Sequence, residues 1–217
     1  MGIVRMGPPE RLVLSIRDAV GAGTFIETGT FRGVTTEWAS RHFRAVHSIE
    51  RAETLYHDVS ARLGALDNLS LHLGDTREIL PGLIEALDEP AVLWLDAHWC
   101  GGDTAGAADE CPLLEELAIA ERAGQDIAVL VDDARYFLAA PPAPHRLEDW
   151  PDLAEVVDAL SRRRERYVCI TEDVVVAVPM AHRDIVVEHC RALATEGLHR
   201  KSAFRRWLRG LRRKRKR

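Results

Sequence analysis

The chain has 217 residues, 47% of them hydrophobic, and a formal net charge of −5, which is enough to bury one substantial core and ordinary for a globular domain. No apolar run approaches the ~18 residues that span a bilayer, and the N-terminal stretch carries no signal-peptide hydrophobic region, so a cytoplasmic protein is expected. The cysteines Cys100, Cys111, Cys169 and Cys190 lie far apart without a CxxC pair, which argues against a zinc site or disulfide framework and for reduced thiols.

After the break at Pro8 and Pro9, Leu12, Ile16 and Ala19 or Val20 share one helical face, predicting a helix over Glu10–Val20. Strands and helices then alternate: strand Thr24–Thr28, helix Val34–His42, strand Ala45–Glu50, helix Ala52–Leu63, strand Leu69–Leu73 and helix Thr76–Leu87. Strand Ala91–Asp96, helix Pro112–Ala123 and strand Ile127–Val131 continue the cycle. The runs AVLWL and IAVLV are continuously apolar, as parallel strands covered on both faces require. A Pro-rich loop and a helix over Asp152–Arg163 lead to YVCI, the turn TED and VVVAV, two strands too close for a crossover helix and therefore paired antiparallel. The expected fold class is α/β: a doubly wound, Rossmann-like, mostly parallel seven-stranded sheet ending in an antiparallel hairpin.

The run FIETGTFRGVT, Phe25–Thr35, places a strand, a carboxylate, a glycine turn and a helix start in succession. Gly29 and Gly33 let the backbone turn or approach a ligand closely, and Thr35 is placed to support the first helical turn. A phosphate-binding turn prefers backbone N–H groups without a nearby anion, so Glu27 favours a ligand with positive charge or free hydroxyls, such as S-adenosylmethionine (SAM). The same residues also suit a plain strand-to-helix turn. Glu50, at the next strand end and 23 residues on, lies near the ~20-residue interval after which nucleotide-binding folds place an acid on ribose hydroxyls.

Ligands of open α/β sheets sit beyond the carboxyl ends of the strands, where Glu27, Glu50, Asp75, Asp96, His98, Asp132 and Asp133 all fall. Any one of these acids alone reads as well as a helix cap or an Arg partner. Together they repel unless cations balance them. A positive ligand is one such cation, and Mg²⁺ on the hard oxygens of Asp96, Asp132 and Asp133 is the other. His98 reads equally as the acceptor of a substrate hydroxyl proton and as an imidazole packed against adenine or bonded within its loop.

With these motifs in order, the stretch from Phe25 to Val178 resembles class I SAM-dependent methyltransferases, and within them the metal-dependent catechol and macrolide-sugar O-methyltransferase group. ETGTFRGVT is similar to that group's first motif, which implies that Glu27, Gly29 and Gly33 shape the methionine end of the cofactor pocket, with Thr30 and Thr35 of the same run among the cofactor-binding residues. The resemblance assigns Glu50 to the ribose. It assigns GDTREILPGL, with Asp75 and Thr76, to the adenine edge. WLDAHW and LVDDA resemble the metal-binding strand ends, carrying over Asp96, which also borders the cofactor, together with Asp132 and Asp133. Two departures stand out: the lysine base of the catechol enzymes is absent after His98, which makes His98 the catalytic candidate, and Asp133 stands where an amide is common.

The loop from His98 to Pro112 is longer than usual. Gly101, Gly102 and Gly106 suit a lid, and Asp103, Thr104 and Asp109 suit a polyhydroxylated acceptor; alternatively it is a surface loop whose Asp109 or Glu110 assists the next helix. From Arg200 onward there are 11 Lys or Arg and no acid, leaving 18 basic against 34 acidic side chains before it, a net of −16. Phe204, Trp207, Leu208 and Leu211 recur at helical spacing among these bases, the pattern of a basic interfacial helix on an anionic membrane. A solvated charge run and nonspecific nucleic-acid binding compete with that reading. The sequence thus divides into one domain, 1–199, and a basic tail, 200–217. The expectation is a SAM-dependent, metal-assisted O-methyltransferase acting on a hydroxyl of a sugar or polar metabolite. Its competitors are a metal-independent methyltransferase and a noncatalytic SAM-binding scaffold recruited by the tail.

Overall fold

A computed structural model describes residues 7–99 and 109–197. The first strands and helices are β1 (Thr24–Thr28), β2 (Ala45–Glu50), β3 (Leu69–Leu73), β4 (Ala91–Leu95) and β5 (Ile127–Val131), with α1 (Glu10–Val20), α2 (Val34–Ser40), α3 (Glu53–Leu63), α4 (Thr76–Glu85) and α5 (Leu113–Ala120) between them. A one-turn α6 (Arg135–Leu138) and α7 (Leu153–Ser161) precede the hairpin of β6 (Arg166–Thr171) and β7 (Val174–Pro179). The sheet order is β3-β2-β1-β4-β5-β7-β6. β1 to β5 pair in parallel, and β7 pairs antiparallel with both β5 and β6, so β7 alone runs against the other strands of this sheet. The expected doubly wound sheet with a terminal hairpin is therefore present.

Burial follows position in the sheet. All residues of the interior strands β1, β4 and β5 are buried, whereas the edge strands β3 and β6 are mostly half-buried, which explains why AVLWL and IAVLV carry no polar alternation. Ile26, Leu93, Leu95, Val129 and Val131 pack against Leu80 and Ile84 of α4, Leu113 and Leu117 of α5, and Val156 and Leu160 of α7. Because successive strand residues face opposite ways, Phe25, Val92 and Leu130 face the other layer, where α1 lies against β4 and β5. The β6–β7 turn places Glu172 and Asp173 at φ 51° and 68°, the left-handed pair that a two-residue hairpin turn needs.

Chain contacts divide the molecule at Arg183/Asp184. The described part of the second unit lies within a helix over 183–197, an element without a sequence-based expectation. The boundary expected after His199, the basic tail and the lid glycines Gly101, Gly102 and Gly106, with Asp103 and Thr104, lie outside the described residues. No helix of the described residues is long and apolar enough to cross a membrane.

Candidate functional site

Backbone hydrogen bonds carry the sheet's register past the strand ends and gather the expected acids on one rim. Gly29 N–H donates to the Ile49 carbonyl at 3.0 Å, Gly74 N–H to Glu50 at 2.9 Å, Asp96 N–H to Thr28 at 3.1 Å and Asp132 N–H to Leu95 at 3.1 Å. Glu27, Glu50, Asp96 and Asp132 therefore leave neighbouring strands side by side. Gly29 has φ +83°, and a Cβ there would stand 2.3 Å from the Asp96 carbonyl oxygen, so the turn after β1 closes against the end of β4 only with glycine. Gly33, at φ +70°, faces Val59 of α3, which makes it a helix-packing residue.

Glu27 is buried at the end of β1. Its Oε2 accepts hydrogen bonds from the Thr36 and Ser48 hydroxyls, both at 2.5 Å, and Ser48 also bonds Thr30 at 2.6 Å. Burial lifts the Glu27 carboxyl to about 7 against those stabilising hydroxyls. Thr36, rather than Thr35, is the helix residue that reaches it. Glu50 accepts the N–H groups of Phe31 at 2.8 Å and Ala52 at 2.7 Å, one on each oxygen; since a carboxylate oxygen has two lone pairs, both oxygens retain acceptor capacity for hydroxyls.

The ends of β4 and β5 form a second group. Burial, with Asp132, Asp133 and Glu27 nearby, raises Asp96 well above the usual carboxyl range despite the His98 ring. Burial and Asp133 raise Asp132 to about 6. Asp133, at φ +56°, is held below its usual value, against burial, by His98 and Arg135. His98 Nε2 lies 2.9 Å from Asp133 Oδ2, and Arg135 Nη1 lies 2.5 Å from Asp133 Oδ1. The carboxylate only accepts, so Nε2 carries the proton, and Nδ1 faces Asp96 Oδ1 at 3.7 Å. The His98 side chain is 4% exposed and that of Asp96 29%. Asp96, not His98, is the member of this group open to a ligand.

Three expectations are revised by this geometry. The proposed Mg²⁺ ligands Asp96, Asp132 and Asp133 do come from adjacent strands, but both oxygens of Asp133 are engaged by Arg135 and His98, and the described residues contain no group of three or more His, Cys, Asp or Glu able to hold a metal ion. Asp96 and Asp132 remain as the carboxylates of this group that no arginine pairs with among the described residues. Asp75 caps α4 through Arg77 N–H and pairs with the Arg77 guanidinium at 2.7 Å. That hydrogen bonding to Arg77 holds its carboxyl down, so it is committed to the helix end. Asp109, expected to meet an acceptor, instead pairs with the same Arg77 at 2.5 Å.

Sequence reasoning missed Thr36, Ser48, Arg135 and Glu116. Glu116, on α5, is buried with Oε1 unpartnered, and burial lifts it to about 7 against hydrogen bonds from Thr76 and Thr28. It borders, with His98 and Cys111, a cavity of ≈ 10 Å³, about the room of one water. No sequence signal marks Glu116, which stands beside Glu115 in a helix whose other residues are apolar. A larger cavity of ≈ 310 Å³ lies between α5 and α7, lined by Leu114, Ala118, Glu121, Asp158 and Arg162 among others. It contains none of the rim residues, and Asp158 and Arg162 neutralise each other, so the chemistry belongs to the rim.

A seven-stranded sheet in this order, with an acid-lined rim and a glycine turn after β1, is the class I SAM-dependent methyltransferase fold. No protein-family model and no curated protein matches the sequence. Among solved structures, the chain is similar to the O-methyltransferase TomG from Streptomyces achromogenes, involved in tomaymycin synthesis and in complex with SAM, at 16% identity and TM-score 0.56, covering 81% of this chain and 82% of that one. It is likewise similar to the O-methyltransferase from Bacillus cereus in complex with SAH, at 14% identity and TM-score 0.56 over 80% and 82% of the two chains. A SAH-bound methyltransferase of Podospora anserina matches at 14% identity and TM-score 0.54 over 80% and 79%. At such identities the likeness establishes the fold.

Proposed function

We propose that this protein is a SAM-dependent methyltransferase that methylates a hydroxyl of a sugar or another polar metabolite without a metal ion. The observation that carries the reading is the convergence of Glu27, Asp96 and Asp132 at the strand ends, each raised by burial. A site that holds carboxylates at this cost is completed by a cation. A bound SAM would bring its sulfonium and α-amino group to Asp96, with the buried Glu27 carboxyl adding to the field there from beneath, and its ribose hydroxyls would donate to Glu50. The glycine turn at Gly29 brings the end of β1 against the end of β4, so that Glu27 and Asp96 fall in one site.

When bound, SAM supplies an electrophilic methyl, which forms its bond to the acceptor oxygen as the methyl–sulfur bond breaks and the electron pair stays on sulfur. Asp96, half-buried and the most accessible member of the group, accepts the hydroxyl proton; burial and the neighbouring acids make its carboxylate more basic than an ordinary one. His98 presents Nδ1, 3.7 Å from Asp96 Oδ1, as the nitrogen that accepts the proton Asp96 has taken, and Asp133 with Arg135 fixes that tautomer. Most of the remaining gain comes from alignment of oxygen, methyl and sulfur.

Calorimetry with SAM and incubation with methyl-labelled SAM and a panel of hydroxylated metabolites test the proposal. We expect SAM binding and label transfer to a hydroxyl, both unchanged on adding Mg²⁺ or EDTA. No heat of binding removes the methyltransferase reading; transfer abolished by EDTA and restored by Mg²⁺ reinstates the metal at Asp96 and Asp132.

A further inference from the structure

Glu110 stands outside the strand-end group, yet it is 2% exposed and unusually well supplied with donors. Its Oε2 accepts His145 Nδ1–H at 3.0 Å and Trp150 Nε1–H at 2.8 Å, and both oxygens share the Arg146 backbone N–H at 3.2 Å. The Glu110 carbonyl accepts Trp99 N–H at 2.7 Å, and its own N–H reaches Asp149 Oδ2 at 3.3 Å. One residue thus ties the segment that follows β4 to the segment His145–Trp150, 35 to 40 positions later.

That later segment packs on the proposed acid–base group. The Trp150 indole, itself buried, meets the His98 ring edge-on at 5.3 Å between centroids, and Tyr136 at 5.2 Å and His145 at 5.2 Å complete the aromatic set. An apolar side chain in place of Glu110 would fill the same space without fixing the rotation of the indole. A carboxylate that takes the indole N–H and an imidazole N–H sets both ring planes, because buried hydrogen-bond networks are satisfied in one geometry only.

We propose that Glu110 is a positioning residue: through Trp150 and His145 it holds the His98 ring between Asp96 and Asp133. The inference rests on the methyltransferase reading for its catalytic consequence and on the geometry alone for its structural one. Glu110→Gln retains one acceptor but places an amide N–H₂ against the donors, Glu110→Ala removes every bond, and Trp150→Phe keeps an aromatic ring without the N–H.

The test uses the full chain at pH 7.5, with folding checked by circular dichroism. Long-range ¹H–¹⁵N spectra read the His98 tautomer, while calorimetry and initial rates read SAM binding and methyl transfer. In wild type, His98 is expected to show the Nε2–H pattern held to Asp133. In Glu110→Gln and Trp150→Phe its resonances move toward tautomer averaging, kcat falls at least about tenfold and the SAM Kd stays within about threefold. Should Glu110→Ala or Glu110→Gln fail to fold, Trp150→Phe carries the comparison. Folded variants whose His98 resonances superimpose on wild type overturn the assignment. A wild-type protein that binds no SAM removes the methyltransferase reading instead, and the resonance comparison still decides the role of Glu110.

Discussion

Glu27 combines the two properties that a cation-binding carboxylate needs: burial that makes its charge costly and hydroxyl donors that make it tolerable. The folded protein holds its proton up to about pH 7, against an ordinary value of 4.5. Between those values the folded state binds the proton and the unfolded state does not, so Glu27 contributes stability below about pH 4.5 that is lost as pH rises through 7. Glu27→Gln, which keeps an acceptor for Thr36 and Ser48, should melt close to wild type at pH 5 and above it at pH 8, by on the order of 5 °C. Calorimetry should also find SAM binding to wild type strengthening as pH rises through 7, with proton release on binding, and the variant losing at least about tenfold in affinity. Equal melting at pH 8 would show that the Glu27 charge is not the strained element. At the neighbouring group the exposure of Asp96 against His98 ranks two variants. Asp96→Asn should lower kcat by about 10²–10⁴ and His98→Asn by less, with the SAM Kd near wild type in the His98 variant; the reverse ranking by initial rates would return the base role to His98.

At the scale of elements, the central strands β4 and β5 were legible because each is a short apolar run followed at once by an acid, and the hairpin because two apolar runs are separated by too few residues for a helix. The helix ends were less so. Expected helices reached His42, Leu87 and Ala123, whereas α2, α4 and α5 stop two or three residues earlier. Their last turns tighten into i→i+3 bonds, such as His42 N–H to Ala39, Leu87 N–H to Ile84 and Ala123 N–H to Ala120, a change that hydrophobic periodicity does not register. Glu110 was readable only as an ordinary polar residue before a helix, because its donors lie in a segment far along the chain. Arg166 on β6 and Glu121 beside α5 make the same point: they form an ion pair with side chains 2% and 5% exposed, and neither position is marked by its neighbours. Glu121→Ala strands the Arg166 charge in the core, where Arg166 Nη2 already lacks a partner, and should cost about 3–5 kcal/mol in urea unfolding. Glu121→Leu with Arg166→Met, replacing both charges by apolar groups, should cost much less. Equal losses for the single and double replacements would mean that packing rather than charge sets the value of this pair.

Across the whole molecule, charge is distributed as unevenly as in any single site. The residues before Arg200 carry a net of −16, and those from Arg200 onward carry 11 bases and no acid. Carboxylates at the candidate site repel anionic surfaces, so an approach to an anionic membrane falls to the basic segment. Its Phe204, Trp207, Leu208 and Leu211 offer an apolar stripe at helical spacing for insertion, and each base near the surface adds about 1 kcal/mol at low ionic strength. We propose this segment as a contact for anionic membranes. Full-length protein should float with phosphatidylserine vesicles at 50 mM salt and release as salt is raised, while a chain ending at His199 stays in the load fraction with unchanged SAM affinity. Replacing Trp207 and Leu211 with serine keeps every charge and separates insertion from attraction: loss of flotation supports the apolar stripe, and retention assigns binding to charge alone. Equal flotation of the full and shortened chains ends the assignment, since the body alone would then account for binding.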